Sequence, residues 1–262
     1  MSALTAHNSV DVCVGRSGIP VGKLQFVKDG RREYSVFAYE GSWLGARERF
    51  EISPDLPLVP GHVSRRSPHP DDSCFPFAIA DTAPDAWGKR LILRAHARRR
   101  DKDPALPFLT PFDYLAAVDD VSRVGALRLR DESGMYLSSA DRQRTPPIVE
   151  LERIYAASRA VEQGNETTED LNYLQGKGTS LGGLRPKCTV LEEDGRLAIG
   201  KFPSIHDDRS VTRGEVLALA LARKAGIDAA TARIVVLDST PVAVIRRFDR
   251  DADDARAAIS LS

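Results

Sequence analysis

The stretch Lys187–Phe202, KCTVLEEDGRLAIGKF, decides the fold. Two apolar runs, Lys187 to Leu191 and Leu197 to Phe202, flank Glu193-Asp194-Gly195, and the glycine supplies the positive φ that a tight hairpin turn needs. A hairpin makes its strands antiparallel. Towards the C-terminus, Thr212 to Gly226 reads as a helix. Thr212 and Glu215 have the spacing of a capping box, and Gly226 stands where a left-handed C-terminal cap belongs. Arg233 to Leu237 and Val242 to Arg247 then form a second hairpin across Asp238-Ser239-Thr240-Pro241. The order predicts an antiparallel sheet of about five strands with one flanking helix.

Towards the N-terminus, Thr168 to Leu174 and Val149 to Val161 read as short helices, and residues 138–147, SSADRQRTPP, are polar and end in two prolines. That segment marks a boundary between residues 1–145 and 146–262. The first part is strand-rich. Val12 to Gly15 and Val21 to Val27 pair across Gly18 and Pro20, and Asp29-Gly30 turns the chain into a strand from Tyr34 to Tyr39. Residues 53–76, rich in Pro, Ser, His and Asp, read as one long loop. A helix starts at Pro84 and runs to about Arg100. Its basic end, Arg94, His96 and Arg98 to Arg100, reads as solvated and complements the helix dipole. A second helix starts near Pro111, and Val124 to Leu129 is a strand. The fold class is therefore α+β.

The 262 residues carry 37 Lys plus Arg and 37 Asp plus Glu, so no global charge draws the chain to nucleic acid or a membrane surface. Three widely spaced cysteines, Cys13, Cys74 and Cys188, exclude a disulfide scaffold and a CxxC site. They point to a reduced, cytoplasmic setting. Neither a secretory signal nor a transmembrane stretch is visible.

The chemistry concentrates in Gly178-Thr-Ser-Leu-Gly-Gly-Leu-Arg-Pro-Lys187. A P-loop is excluded, because Lys177 is followed by Gly178 and Leu171 fills the first-glycine position. Gly178-Thr-Ser-Leu-Gly182 matches the G-x-S-x-G of a hydrolase elbow. The preceding segment reads as helical, Pro186 precedes a strand, and His206 is the one later histidine, so the context is wrong. The third reading is a nucleotide cradle. Glycines let backbone N–H groups approach phosphate, a strand lysine supplies charge, and a helix glutamate orients that lysine. Gly182-Gly183, Lys201 and Glu215 supply these parts in order.

These motifs resemble the HipA-type serine/threonine kinases, the toxins of type II toxin–antitoxin pairs. The resemblance runs through the glycine-rich stretch, Ile199-Gly-Lys-Phe-Pro203, Glu215, Ala225-Gly-Ile227 and Val244-Ile-Arg-Arg-Phe-Asp-Arg250. In the first half it runs through Gly15 to Gly22, Leu56-Pro-Leu58, Ala80 to Gly88 and Asp120 to Leu127. It implies an N-terminal HipA subdomain followed by a kinase N-lobe. It makes Ser180 the autophosphorylated serine and sets Gly182, Gly183, Leu184, Arg185, Pro186 and Lys187 around the nucleotide phosphates. Lys201 contacts them from its strand with Glu215 in support, and Arg246, Arg247 and Phe248 form the hinge beside the base. ATP and Mg²⁺ are the implied cofactors, and a protein is the implied substrate. A HipB-like helix-turn-helix antitoxin is the implied partner, with DNA reached only through it.

The family's catalytic loop and second metal-binding Asp follow the hinge, and these 262 residues contain neither. The sequence therefore implies no catalytic residue and no metal ligand here, and no turnover by this chain alone; a non-catalytic antitoxin-binding remnant is the alternative. Asp249, Asp251, Asp253 and Asp254 read as a solvated turn. His62, His69, Asp71, Asp72 and Cys74 match no metal-ligand template. Cys188 reads as a small core residue, and Trp43 and Trp87 as core anchors of the first half.

Overall fold

The computed structural model describes residues 6–67, 69, 72–137, 148–174 and 183–249. The chain opens with β1 (Ala6–Val14), β2 (Ile19–Asp29) and β3 (Arg32–Tyr39), then α1 (Gly41–Gly45), β4 (Val63–Arg66), α2 (Phe77–Ala80), α3 (Ala86–Lys102), α4 (Pro111–Ala116) and β5 (Leu127–Arg130). After a short 3₁₀ turn come α5 (Leu151–Gln163), α6 (Thr168–Leu174), β6 (Lys187–Leu191), β7 (Leu197–Lys201), α7 (Val211–Lys224), β8 (Ala232–Leu237) and β9 (Thr240–Arg246).

Two antiparallel sheets carry the molecule, ordered β4-β3-β2-β1-β5 and β6-β7-β9-β8. The second sheet thus has four strands among the described residues, where the sequence predicts about five. Residues 53–76 are not one loop: Val63–Arg66 adds to the edge of β3. Its four residues are too few to show a period, and arginines suit an exposed edge.

Each sheet has its own core. In the first, Val10, Val12 and Val14 of β1 pack with Leu24 and Phe26 of β2 and Phe37 of β3, beneath Phe75, Ile79 and Leu115. In the second, Cys188, Val190, Ala198, Val242 and Val244 pack against Leu151, Ile154 and Leu171. Trp43 belongs to the first core as expected. Trp87 does not: with Leu91 and Ala95 it carries α3 into the second core. The basic end of α3 is correspondingly not just a solvated tip. Arg90 donates to the Val161 carbonyl, Arg94 pairs with Glu166 at 2.6 Å, and buried His96 meets the Pro107 carbonyl.

Helix α7 starts at Val211 with Ser210 as its N-cap, and no side chain caps it. The capping box expected at Thr212 does not form; the Thr212 hydroxyl donates instead to the Pro241 carbonyl at 2.9 Å. The C-terminus follows expectation. Gly226 has φ +80°, its N–H reaches Arg223 O, and Ile227 N–H reaches Ala222 O, which together make a Schellman motif. The β8–β9 turn places Asp238 and Ser239 at φ 42° and 72°, the left-handed pair that a two-residue hairpin requires.

Candidate functional site

The β6–β7 register sets Lys187 directly opposite Lys201, so both side chains leave the same face of the sheet. The next pair, Cys188 and Gly200, faces the core. From α7, Glu215 reaches down to Lys201, Nζ to Oε1 2.5 Å. With the capping box absent, this carboxylate is directed to the strand rather than the helix start. The two side chains remain 28% and 33% exposed, so solvent reaches the pair.

Lys187 is treated differently. Its side chain is 2% exposed and its ammonium lies 2.5 Å from Asp85 Oδ2, a residue 102 positions earlier. It also donates to the Gly183 carbonyl at 2.9 Å. Burial holds the Lys187 ammonium below its ordinary pKa and the Asp85 carboxyl above its own. The charge that the resemblance places beside phosphate is here paired inside the protein.

The other expected loop residues divide by exposure. Arg185 is partly exposed and bonds Asp207 at 2.6 Å, which holds that carboxyl below its ordinary range. Leu184 is 80% exposed. Pro186 is buried, and its carbonyl accepts from Phe202 N–H. Gly183 has φ +108°, a conformation that favours glycine. Ser180 and Gly182 lie outside the described residues.

At the far end of β9 the side chains depart from expectation. Arg246 turns to the β6–β7 hairpin and pairs with Glu192 at 3.2 Å and Asp194 at 2.8 Å. Arg247 is buried against the first half. It forks onto both oxygens of Asp249 and donates to the Ser122 and Arg123 carbonyls at 2.8 and 3.0 Å. Asp249 is not in a solvated turn: it is 8% exposed and accepts from Gly125 N–H. Phe248 stands 93% exposed. Asp251, Asp253 and Asp254 lie outside the described residues.

Among the described residues no three His, Cys, Asp or Glu side chains are grouped to hold a metal ion, and no helix is long and apolar enough to cross a membrane. The side chains that could meet a nucleotide's phosphates are Lys201, held by Glu215, and the partly exposed Arg185. Sequence reasoning missed Asp85 and Asp207. Asp85 did leave a local trace, an Asp whose side chain caps α3 by accepting from Gly88 N–H at 2.6 Å. Its tie to Lys187 leaves none.

The family model described as HipA-like C-terminal domain matches residues 179–261. No curated protein matches the chain. Among solved structures, the chain is similar to one from the Shewanella oneidensis MR-1 toxin–antitoxin system, a complex of HipA, HipB and operator DNA. The identity is 16% and the TM-score 0.49, covering 92% of this chain and 51% of that one. This chain thus spans about half the length of its structural relative.

Proposed function

We propose that the chain, whose residues 179–261 match the HipA-like C-terminal domain model, is the nucleotide-holding portion of a HipA-type serine/threonine kinase of a toxin–antitoxin pair. The observation that carries the reading is the Lys201–Glu215 pair, 2.5 Å apart and open to solvent at the strand–helix junction. A strand lysine held by a helix glutamate is how kinases steady the charge that meets the phosphates.

When bound, Mg-ATP supplies the phosphoryl group and the cation that neutralises it. This chain's residues do the holding. Lys201 presents positive charge, Glu215 fixes where that charge sits, and Arg185 adds a second cation at the exit of the glycine-rich loop. Transfer also needs a base and metal-binding carboxylates, and we assign these residues only the holding of the nucleotide. The division at residues 145/146 stays part of this proposal: each sheet has its own core, but α3, from before the division, packs in the second. The reading also brings a partner, a small helix-turn-helix antitoxin of the HipB kind, and with it a place in the cytoplasm beside the DNA.

Calorimetric titration with Mg-ATP tests this. The expected dissociation constant is well above micromolar, because a half-open site leaves wet much of a ligand that good pockets bury by about 70–90%. Lys201→Ala should abolish the heat without moving Tm. A titration without heat, or one unchanged in the variant, would overturn the reading; micromolar affinity would overturn the half-open site, and phosphate transfer to a protein substrate its limitation to holding.

A further inference from the structure

The exit of the glycine-rich loop is built from both halves of the chain. Asp85 caps α3 through Oδ1 and holds the Lys187 ammonium through Oδ2. Lys187 donates to the Gly183 carbonyl, and the same carbonyl accepts from Trp87 N–H at 3.3 Å. Asp85, Lys187, Gly183 and Trp87 thus close a ring of hydrogen bonds that is returned to Asp85 by the first turn of α3. A β-carbon built on Gly183 would stand 3.4 Å from the Lys187 Nζ, so the loop backbone lies directly on the ion pair.

The ring is anchored further back. Thr82, three residues before Asp85, is held at its carbonyl and hydroxyl by Arg123, at 3.3 and 3.2 Å. Arg123 also donates to Leu115 and Val118 carbonyls in the first half. Its own carbonyl accepts from Arg247 at the end of β9. One buried segment of the first half therefore touches the route to the loop exit and to the hinge strand.

We propose that Asp85 is a positioning residue for Gly183 at the exit of the glycine-rich loop, through which the first half sets where the phosphate site begins. This deepens, and rests on, the reading of that loop as a phosphate cradle. Lys187 cannot keep its buried charge without Asp85, and Gly183 is held by the bonds that pair organises. Any partner that shifts the N-terminus of α3 then shifts the loop exit with it.

Amide hydrogen exchange without nucleotide tests the proposal. Asp85→Asn keeps an oxygen to cap Gly88 but removes the charge. The Trp87 amide should exchange about tenfold faster, the signature of a local opening, while Leu24 and Phe37 amides of the first sheet keep their wild-type rates. The double variant Asp85→Asn/Lys187→Gln removes both charges and carries the test if the single variant does not fold. Its unfolding midpoint should return close to that of the wild type, with Trp87 still exchanging fast. Unchanged exchange at Trp87, or faster exchange spread equally over Leu24 and Phe37, would overturn the proposal. So would recovery of Trp87 protection together with stability in the double variant. Because no nucleotide is present, a failure here is separate from a failure of Lys201 to take phosphate, which the ATP titration reads.

Discussion

Lys187 and Lys201 face each other across one strand pair, on one side of one sheet, yet their surroundings differ. Lys187 is buried and shares a dry pair with Asp85, the N-cap of α3. Lys201 is met by Glu215 from α7 and keeps a quarter of its side chain in water. In low dielectric an ammonium must have its counter-charge, and once paired it is no longer offered to a ligand. In a wet pair the attraction is weak and an incoming phosphate can compete for the lysine. What covers a lysine, rather than its place in the motif, decides whether it serves stability or binding.

Lys187→Met and Lys201→Met should therefore separate widely in chemical denaturation. The first leaves Asp85 buried without its partner and should cost about 3–5 kcal/mol. The second removes a half-exposed pair and should cost about 1 kcal/mol or less. Equal losses would break the comparison. The same contrast recurs in two adjacent residues at the end of β9. Arg247→Ala removes the guanidinium that a buried carboxylate and two carbonyls share and should cost about 3 kcal/mol. Arg246→Ala loses a one-third exposed guanidinium, leaves Asp194 in water and leaves Glu192 paired with Arg233, so it should stay within about 1 kcal/mol.

The core face of the same strands gives a smaller effect. A β-carbon on Gly200 would lie 3.0 Å from Leu151 Cδ2 and 3.2 Å from Cys188 Sγ. Gly200→Ala should thus cost about 1–3 kcal/mol by overpacking, without touching the lysine face. Acid separates the two carboxylates at the loop exit by sign. Asp207 is held below its ordinary pKa by the hydrogen bond from Arg185, so its stabilisation is present above the unfolded pKa, near 3.9, and is lost as pH falls through the folded one. Asp85 is raised by burial, so the folded state takes its proton first and its contribution does not decline in acid. Asp207→Asn should flatten the fall in Tm below about pH 4, and Asp85→Asn should not.

The hairpins were legible in the sequence because their causes are local. Gly195 and Gly30 sit at turn positions, and the β8–β9 turn needs only Asp238 and Ser239. Lys201 and Glu215 could be paired from order alone, since only a loop and the start of α7 separate them. β4 was hidden by its shortness within a proline-rich stretch. The beginning of α7 was misplaced because Thr212 and Glu215 both satisfied a local rule, but each found a tertiary partner. Nothing near Lys187 announces Asp85, and nothing in Arg246-Arg247 says that one arginine goes to a hairpin and the other into the first half. Those assignments depend on how the two cores meet through α3, which no local spacing encodes.

The central claim is that Lys201, not Lys187, meets the phosphates. The lysine side-chain ¹H–¹⁵N spectrum, followed while Mg-ATP is added, reads both ammonium groups at once. The account predicts that the Lys201 signal moves with nucleotide while the Lys187 signal, locked to Asp85, stays in place. Movement of Lys187 with Lys201 unaffected would contradict it.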